Sequence, residues 1–339
     1  MSDGDVTTQA GSANNGMGGR DLGQMVAGLR NYLPEGRKIS GLRVLSAGHS
    51  NETYYIEGLD RILRMPPAQG GLLPPYDMEK QYRVLDAVYR MSDAPPVPRV
   101  YELCTESEIL GDPFFVMQAL KGEEFEYTLP DWLSSAPSGQ REWMSNQWVT
   151  VISGLHNNPP EQMPAEEIGI QAYAEKYLAM AIKSEGDREL IAILDNLVKD
   201  PPKASGAPTP VHGDPKHGNT LWTRDGKLLA FLDWEMSHIG EPLTDLGWML
   251  CFYNQGHASA ALHSTGWLQE PAILDLWQQK TGRTAVDIQR YKLLALAKVC
   301  AIMSRGVWLY NTGQLMDPRI PTWDMKSLLD TLIERSQNI

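Results

Sequence analysis

Cysteine is scarce: three residues in 339, Cys104, Cys251 and Cys300, far apart and odd in number. That spacing excludes a disulfide framework and a zinc knuckle. Cys251 and Cys300 sit in the apolar runs GWMLCFY and LALAKVCAIM and read as buried thiols in a reducing compartment. A basic excess is also missing, because 30 Lys and Arg face 42 Asp and Glu, a formal charge of -12. Nucleic-acid binders carry a basic face, so neither nucleic acid nor an anionic membrane is an expected partner. The acidic balance suits a cationic substrate, yet it is also ordinary for cytoplasmic enzymes. No run reads as approaching the ~18 apolar residues that span a bilayer. The opening MSDGDVTTQAGSANNGMGGR lacks the apolar stretch of a secretory signal. A soluble, cytoplasmic protein is expected.

Several catalytic signatures are absent too. There is no GxxxxGK[ST] and no HExxH, and GHSNE lacks the second Gly of a nucleophile elbow. GMGGRDLG imitates a dinucleotide fingerprint, but no strand precedes it.

What is present is an ordinary globular composition, 42% hydrophobic and 21% charged. At ~150 residues per domain the chain has room for about two domains or lobes. Residues 1–20 are rich in Gly, Ser, Asn and Asp and read as a disordered tail. Asp21 is a natural N-cap for the amphipathic DLGQMVAGLRNYL. GLRVLSA (41–47), ETYYIEG (52–58) and RILRM (61–65) alternate as strands of an antiparallel meander. A helix is expected over 77–90, then strands in PVPRVYELC and DPFFVMQAL. Residues 21–120 thus form a small β-rich lobe with one inserted helix.

From 121 to 339 helical periodicity dominates, over 139–156, 166–183, 187–199, 270–281, 286–309 and 322–336. One β island interrupts it: VHGD, NTLWTR, a DGK turn and LLAFLDWE. The fold class is therefore α+β and bilobal. A cleft between lobes is where a ligand is expected.

The island reads His212-Gly213-Asp214-Pro215-Lys216-His217-Gly218-Asn219, with Asp233-Trp234-Glu235 after a hairpin. An Asp five residues before an Asn, with a second Asp brought back by a hairpin, is what phosphoryl transfer needs. The first Asp takes or orients the attacking hydroxyl's proton, and the amide oxygen and second carboxylate are hard ligands for magnesium. His212 and His217 could suggest a metal pair, but His212 fits a hydrogen bond within the loop better.

HGDPKHGN, LDWE and then Gly240-Glu-Pro242-Leu-Thr-Asp245-Leu246 resemble the aminoglycoside phosphotransferase and choline kinase-like family, a branch of the protein-kinase-like fold. That family's motifs run HGDxxxxN, DWE or DxD, and GxPxxDL, and the resemblance covers about 21–339. It implies ATP and Mg2+ as cofactors, Asp214 as catalytic base, Asn219 and Asp233 as metal ligands, and a small-molecule hydroxyl as phosphate acceptor. It further implies that Lys216 touches the transferred phosphate and that Asp245 braces the loop or caps the next helix. In the first lobe it places Gly48, Ser50 and Asn51 in a phosphate-covering loop and the segment after Met117 at the adenine.

Two departures stand out. Arg64 occupies the strand position where kinases carry Lys, as in the acyl-CoA-dehydrogenase-associated branch, and its fork still grips phosphate. Gln81 falls where Glu is expected, with Glu79 on another helix face, so either is left as the support for Arg64. Within this class the acceptor reads as a hydroxyacyl-CoA-type metabolite or as an aminoglycoside or amino alcohol. Trp132 and Trp143 lie on the insertion between lobes and are weighed as acceptor-lining or packing residues. The alternative reading is a non-catalytic nucleotide-binding regulator, motivated by Gln81 and opposed by intact Asp214, Asn219 and Asp233. The sequence leaves the oligomeric state open.

Overall fold

The computed structural model describes residues 17–47, 51–126, 128–251 and 266–339. The tail predicted for 1–20 lies outside these up to residue 16, and a 3-10 turn already forms over Met17–Gly19. The chain divides into two units, 1–79 with 101–119, and 80–100 with 120–339.

Elements in the first part of the chain are α1 (Leu22–Tyr32), β1 (Gly41–Ala47), β2 (Glu52–Glu57), β3 (Arg61–Met65), α2 (Met78–Arg90), β4 (Val100–Cys104), a four-residue α3 (Ser107–Leu110) and β5 (Phe114–Gln118). Asp21 caps α1 by accepting the N–H groups of Gly23 and Gln24 at 2.8 and 3.1 Å. One sheet runs in the order β1-β2-β3-β5-β4, antiparallel across β1–β2, β2–β3 and β3–β5. Period-2 alternation in β2 buries Tyr54 and Ile56 against Met25, Leu29 and Leu33 from the α1 segment. Each buried aliphatic side chain of this kind contributes about 1.5–3 kcal/mol.

Although the sequence places 80–100 in the first lobe, these residues group with the second unit. Local contacts explain it. The Phe231 N–H donates to Pro96 O at 2.7 Å, and Asn158 Nδ2 donates to Ser92 O at 3.0 Å. Gly154 lies so close to this segment that a Cβ there would sit 1.8 Å from the Asp93 carbonyl oxygen.

The larger unit continues with α4 (Asp131–Ser134), α5 (Ser138–Asn157), β6 (Glu167–Ile168), α6 (Ile170–Lys183), α7 (Arg188–Lys199), β7 (Thr209–Val211), β8 (Thr220–Trp222), β9 (Leu228–Phe231), β10 (His238–Gly240), α8 (Leu243–Cys251), α9 (Glu270–Thr281), α10 (Ile288–Asn311) and α11 (Met325–Ser336). The helix predicted from 166 begins only at Ile170, because Glu167 and Ile168 pair with β10. β10 also pairs antiparallel with β7, and β8 with β9. The apolar faces of α6, α7, α10 and α11 close one core around Tyr177, Leu190, Leu194, Leu296 and Leu332.

α10 is long and apolar enough to cross a membrane by length and composition, contrary to the sequence expectation. Its surfaces pack on α6, α7, α8 and α11, and it buries Lys292 and Lys298. Packing within the unit accounts for its composition.

Candidate active site

β7 delivers the chain into the loop at His212, and three features set the loop's course. Gly213 has φ +87°, the left-handed region, and a Cβ there would lie 2.4 Å from the Met236 carbonyl oxygen, so only glycine fits. His212 is fully buried; its Nδ1 accepts the Asp214 N–H at 3.1 Å, which leaves Nε2–H to donate to Leu232 O at 3.0 Å. Burial lowers its pKa, in keeping with this neutral form. Asn219 Nδ2 then donates to both the Asp214 carbonyl, at 2.9 Å, and Asp214 Oδ2, at 2.8 Å.

Under the loop runs a relay that joins three helices. Trp277 Nε1 on α9 donates to His156 Nδ1 on α5 at 3.0 Å, and His156 Nε2 meets Asp245 Oδ2 on α8 at 3.1 Å. Asp245 in turn accepts the His212 N–H at 2.8 Å and the Gly213 N–H at 2.7 Å. Burial opposes its ionisation, yet the bonds from His156 and the His212 backbone hold its pKa below the usual carboxylate range. Asp245 therefore braces the loop.

The hairpin then brings the second acid alongside. The Leu232 N–H donates to Asn219 O at 2.7 Å, extending the Thr220–Phe231 pairing, and Asp233 comes next in a left-handed conformation, φ 63°. Burial raises the Asp214 pKa; Lys216 and Lys298 pull it back, and Asp233 pushes it further up. Asp214 Oδ1 is buried with no hydrogen-bond partner among the described residues. Among those residues, too, no three His, Cys, Asp or Glu cluster as a metal site. The set here is instead the Asp233 carboxylate and the amide oxygen of Asn219, hard oxygens of the kind magnesium takes. With Nδ2 turned to Asp214, Asn219 keeps its Oδ1 for a cation, and these two donors fit a dication.

Other loop residues are held from outside. Lys216 Nζ pairs with Glu126 at 2.9 Å. Burial raises the neighbouring Glu124 pKa, and Glu126 adds to the rise. Trp148 Nε1 donates to Pro215 O at 3.0 Å, and its ring stacks on His217 at 4.1 Å. Phe125 and Trp267 also flank His217, whose pKa burial lowers to about 3, so the imidazole is neutral. Trp132 donates to Glu123 at 2.8 Å, while Trp143 is exposed on α5.

The structure thus gathers Asp214, Lys216, Asn219 and Asp233 in one loop and hairpin. In the smaller unit, Asn51 is buried at the entry to β2, Arg64 stands on β3 opposite Thr53 and Phe115, and Met117 stands on β5 opposite Ile62. Gln81 is buried on α2. Gly48 and Ser50 lie outside the described residues. Sequence reasoning missed His156, Trp277, Glu126 and Lys298. Only the isolated polar letters in apolar helix runs, such as Lys298 in LALAKVCAIM, could have signalled them.

The model of the "Phosphotransferase enzyme family" matches residues 41–277. Mouse acyl-CoA dehydrogenase family member 10 is 29% identical over 222 residues, covering 61% of this chain and 20% of that protein. The chain thus spans a minor part of this relative's length. Among solved structures, a Ralstonia eutropha protein provisionally described as an aminoglycoside phosphotransferase is 21% identical, with a TM-score of 0.73 over 92% of this chain and 98% of its own. APH(2'')-IIa in ternary complex with streptomycin and ATP is 17% identical, with a TM-score of 0.56 over 83% of this chain and 89% of its own. These likenesses establish a protein-kinase-like fold.

Proposed function

Because the chain belongs to the phosphotransferase enzyme family, we propose that it moves the γ-phosphate of ATP, with magnesium, to a hydroxyl of a small molecule, and that Asp214 is the base. The observation that carries this is the state of the Asp214 carboxylate. Asn219 fixes one oxygen, while the other is buried without a partner among the described residues. A base must lie within hydrogen-bond reach of the proton it takes, and here one oxygen remains for that proton. Asn219 Oδ1 and Asp233 would hold the magnesium ion. When bound, that ion neutralises charge on the phosphate oxygens.

The remaining work is positioning. Lys216 is the loop cation suited to the transferred phosphate; engaging it means leaving Glu126 or sharing with it. In the smaller unit, the Arg64 guanidinium is suited to a bidentate grip on phosphate oxygens, and backbone after Met117 is the candidate contact for adenine. The protein would act in the cytoplasm.

A hydroxyacyl-CoA-type metabolite is the preferred acceptor. The relative named for acyl-CoA supports this preference. An aminoglycoside or amino alcohol is the second reading, favoured by Glu124 and Glu126 beside Lys216.

The test is magnesium-dependent ATP consumption with a panel of hydroxylated acceptors. Asp214→Asn is expected to lower the rate by ~10²–10⁴ while ATP binding survives. Wild-type protein that binds ATP but phosphorylates nothing in a broad panel would support a non-catalytic nucleotide-binding regulator instead.

A further inference from the structure

We infer that Lys298, on α10, is a positioning residue for the transfer step: its buried ammonium fixes the Gly213 carbonyl and thereby the peptide that aims Asp214. The inference rests on the phosphotransfer reading above.

Lys298 is 1% exposed in the middle of an apolar helix. Burying an ammonium is costly, and an apolar side chain would fill the same space without that cost. Leu294, Ala297 and Ala301, on the same helix, are equally buried. The core therefore gives no reason for a cation here. Nor does a salt bridge, since none to Lys298 forms among the described residues.

Its contacts point to the loop instead. Nζ donates to Gly213 O at 2.5 Å, and the face of Trp248 lies 4.0 Å away. Tyr177 and Tyr173 present their rings at 5.6 and 5.7 Å. Aromatic faces stabilise the charged form without offering it a competing hydrogen bond. One directional bond remains, and it goes to the residue before Asp214.

That bond completes a clamp. The carbonyl of Gly213 and the N–H of Asp214 belong to one peptide unit. Lys298 holds the oxygen, and His212 Nδ1 holds the N–H at 3.1 Å. Asp245 holds the preceding N–H of Gly213 at 2.7 Å. Gly213 takes a left-handed φ of 87°, open to glycine without strain, so these bonds fix the alignment of the peptide that follows it. With Lys298 in place the peptide cannot rotate without breaking a buried bond at each end.

Electrostatics act in the same direction. Asp214 feels Lys216, Asp233 and His212 besides Lys298. Lys298 faces Asp214 and Gly213 from the loop, Lys176, Tyr173 and Tyr177 from α6, and Asp245, Trp248 and Cys251 from α8. Burial lowers its pKa to about 8, which still leaves it largely charged at neutral pH.

The test uses magnesium-ATP alone, with water as acceptor, so it does not depend on the natural substrate. Lys298→Met, close in shape but without donor or charge, is expected to lower kcat roughly 10²-fold with KM for ATP unchanged. Lys298→Gln, which keeps a neutral donor, should fall between Met and wild type. Leu294→Ala serves as a control that lowers the melting temperature by removing core contact alone, and it should leave kcat close to wild type. Unchanged kcat in Lys298→Met overturns the inference. So does a kcat loss in Leu294→Ala equal to that of Lys298→Met at a similar melting temperature. Wild-type protein that consumes ATP neither with water nor with any acceptor of the hydroxylated panel removes the phosphotransfer reading and this one together, whereas turnover that Asp214→Asn abolishes and Lys298→Met spares removes this one alone.

Discussion

Glu52 in the smaller unit and Asp245 in the larger are both buried acids, and they are satisfied in opposite ways. Glu52 meets a guanidinium: Arg20 Nε at 2.7 Å, with Tyr54 OH at 2.8 Å and the Ala68 N–H at 2.9 Å completing its shell. Arg20 reaches on to Asp112 and to the Pro66 carbonyl. Asp245 pairs with no lysine or arginine among the described residues. It is held by two consecutive backbone N–H groups and a histidine. A carboxylate paired to a long side chain fastens segments but leaves the local backbone some latitude. A carboxylate that accepts successive amides dictates that backbone's conformation. The second device belongs beside a site, where orientation matters more than cohesion.

The sharpest way to break this contrast is Asp245→Ala. It strands the buried N–H groups of His212 and Gly213, so unfolding free energy should fall by about 3 kcal/mol or more. Turnover should fall about 10²-fold as the loop loses its aim. Urea denaturation and magnesium-ATP turnover read the two losses; lost stability with intact turnover would place Asp245 in the same class as Glu52. Glu52→Gln comes next, with about 2 kcal/mol lost from a charge-assisted shell and a much smaller change in turnover than Asp245→Ala gives.

The smallest effect is a pH dependence centred on the larger unit. Burial lowers the pKa of His217 to about 3 and that of His238 to about 4. Unfolded imidazoles, near 6.5, bind protons that these folded ones refuse. Their contribution to stability is therefore complete above pH 6.5 and is lost as pH falls from there toward 4. The slope is at most about 1.4 kcal/mol per pH unit for each ring. Denaturation midpoints across this window should drop with acid, and His238→Phe should flatten the decline.

Much of this architecture is written in local pattern. A period-2 run marks β2, and the apolar spacing of 187–199 and 270–281 marks α7 and α9, because each of these elements buries one face. The loop was legible for a similar reason: Asp214, Lys216 and Asn219 sit within six residues, and a hairpin ending in the short β9 returns Asp233. The helical start predicted at 166 failed because a two-residue strand has no period of its own; only β10 makes it a strand. The grouping of 80–100 escaped notice because close approach at Gly154 is a property of backbone, not of pattern. His156 and Trp277 are 121 residues apart, and Lys298 is 85 from Gly213. No window of sequence holds such pairs, and their letters alone read as core helix.

The tryptophan at the far end of the relay has a consequence for how many shapes the loop can take. An indole can only give a proton to a hydrogen bond, and an ionised acid can only receive one. The imidazole of His156, caught between Trp277 and Asp245, is left a single tautomer and a single ring orientation. Direction is thereby imposed on the whole line of bonds from α9 to the loop. Phenylalanine at 277 would erase that direction: the ring could turn over, and the loop would settle between two alignments in place of one.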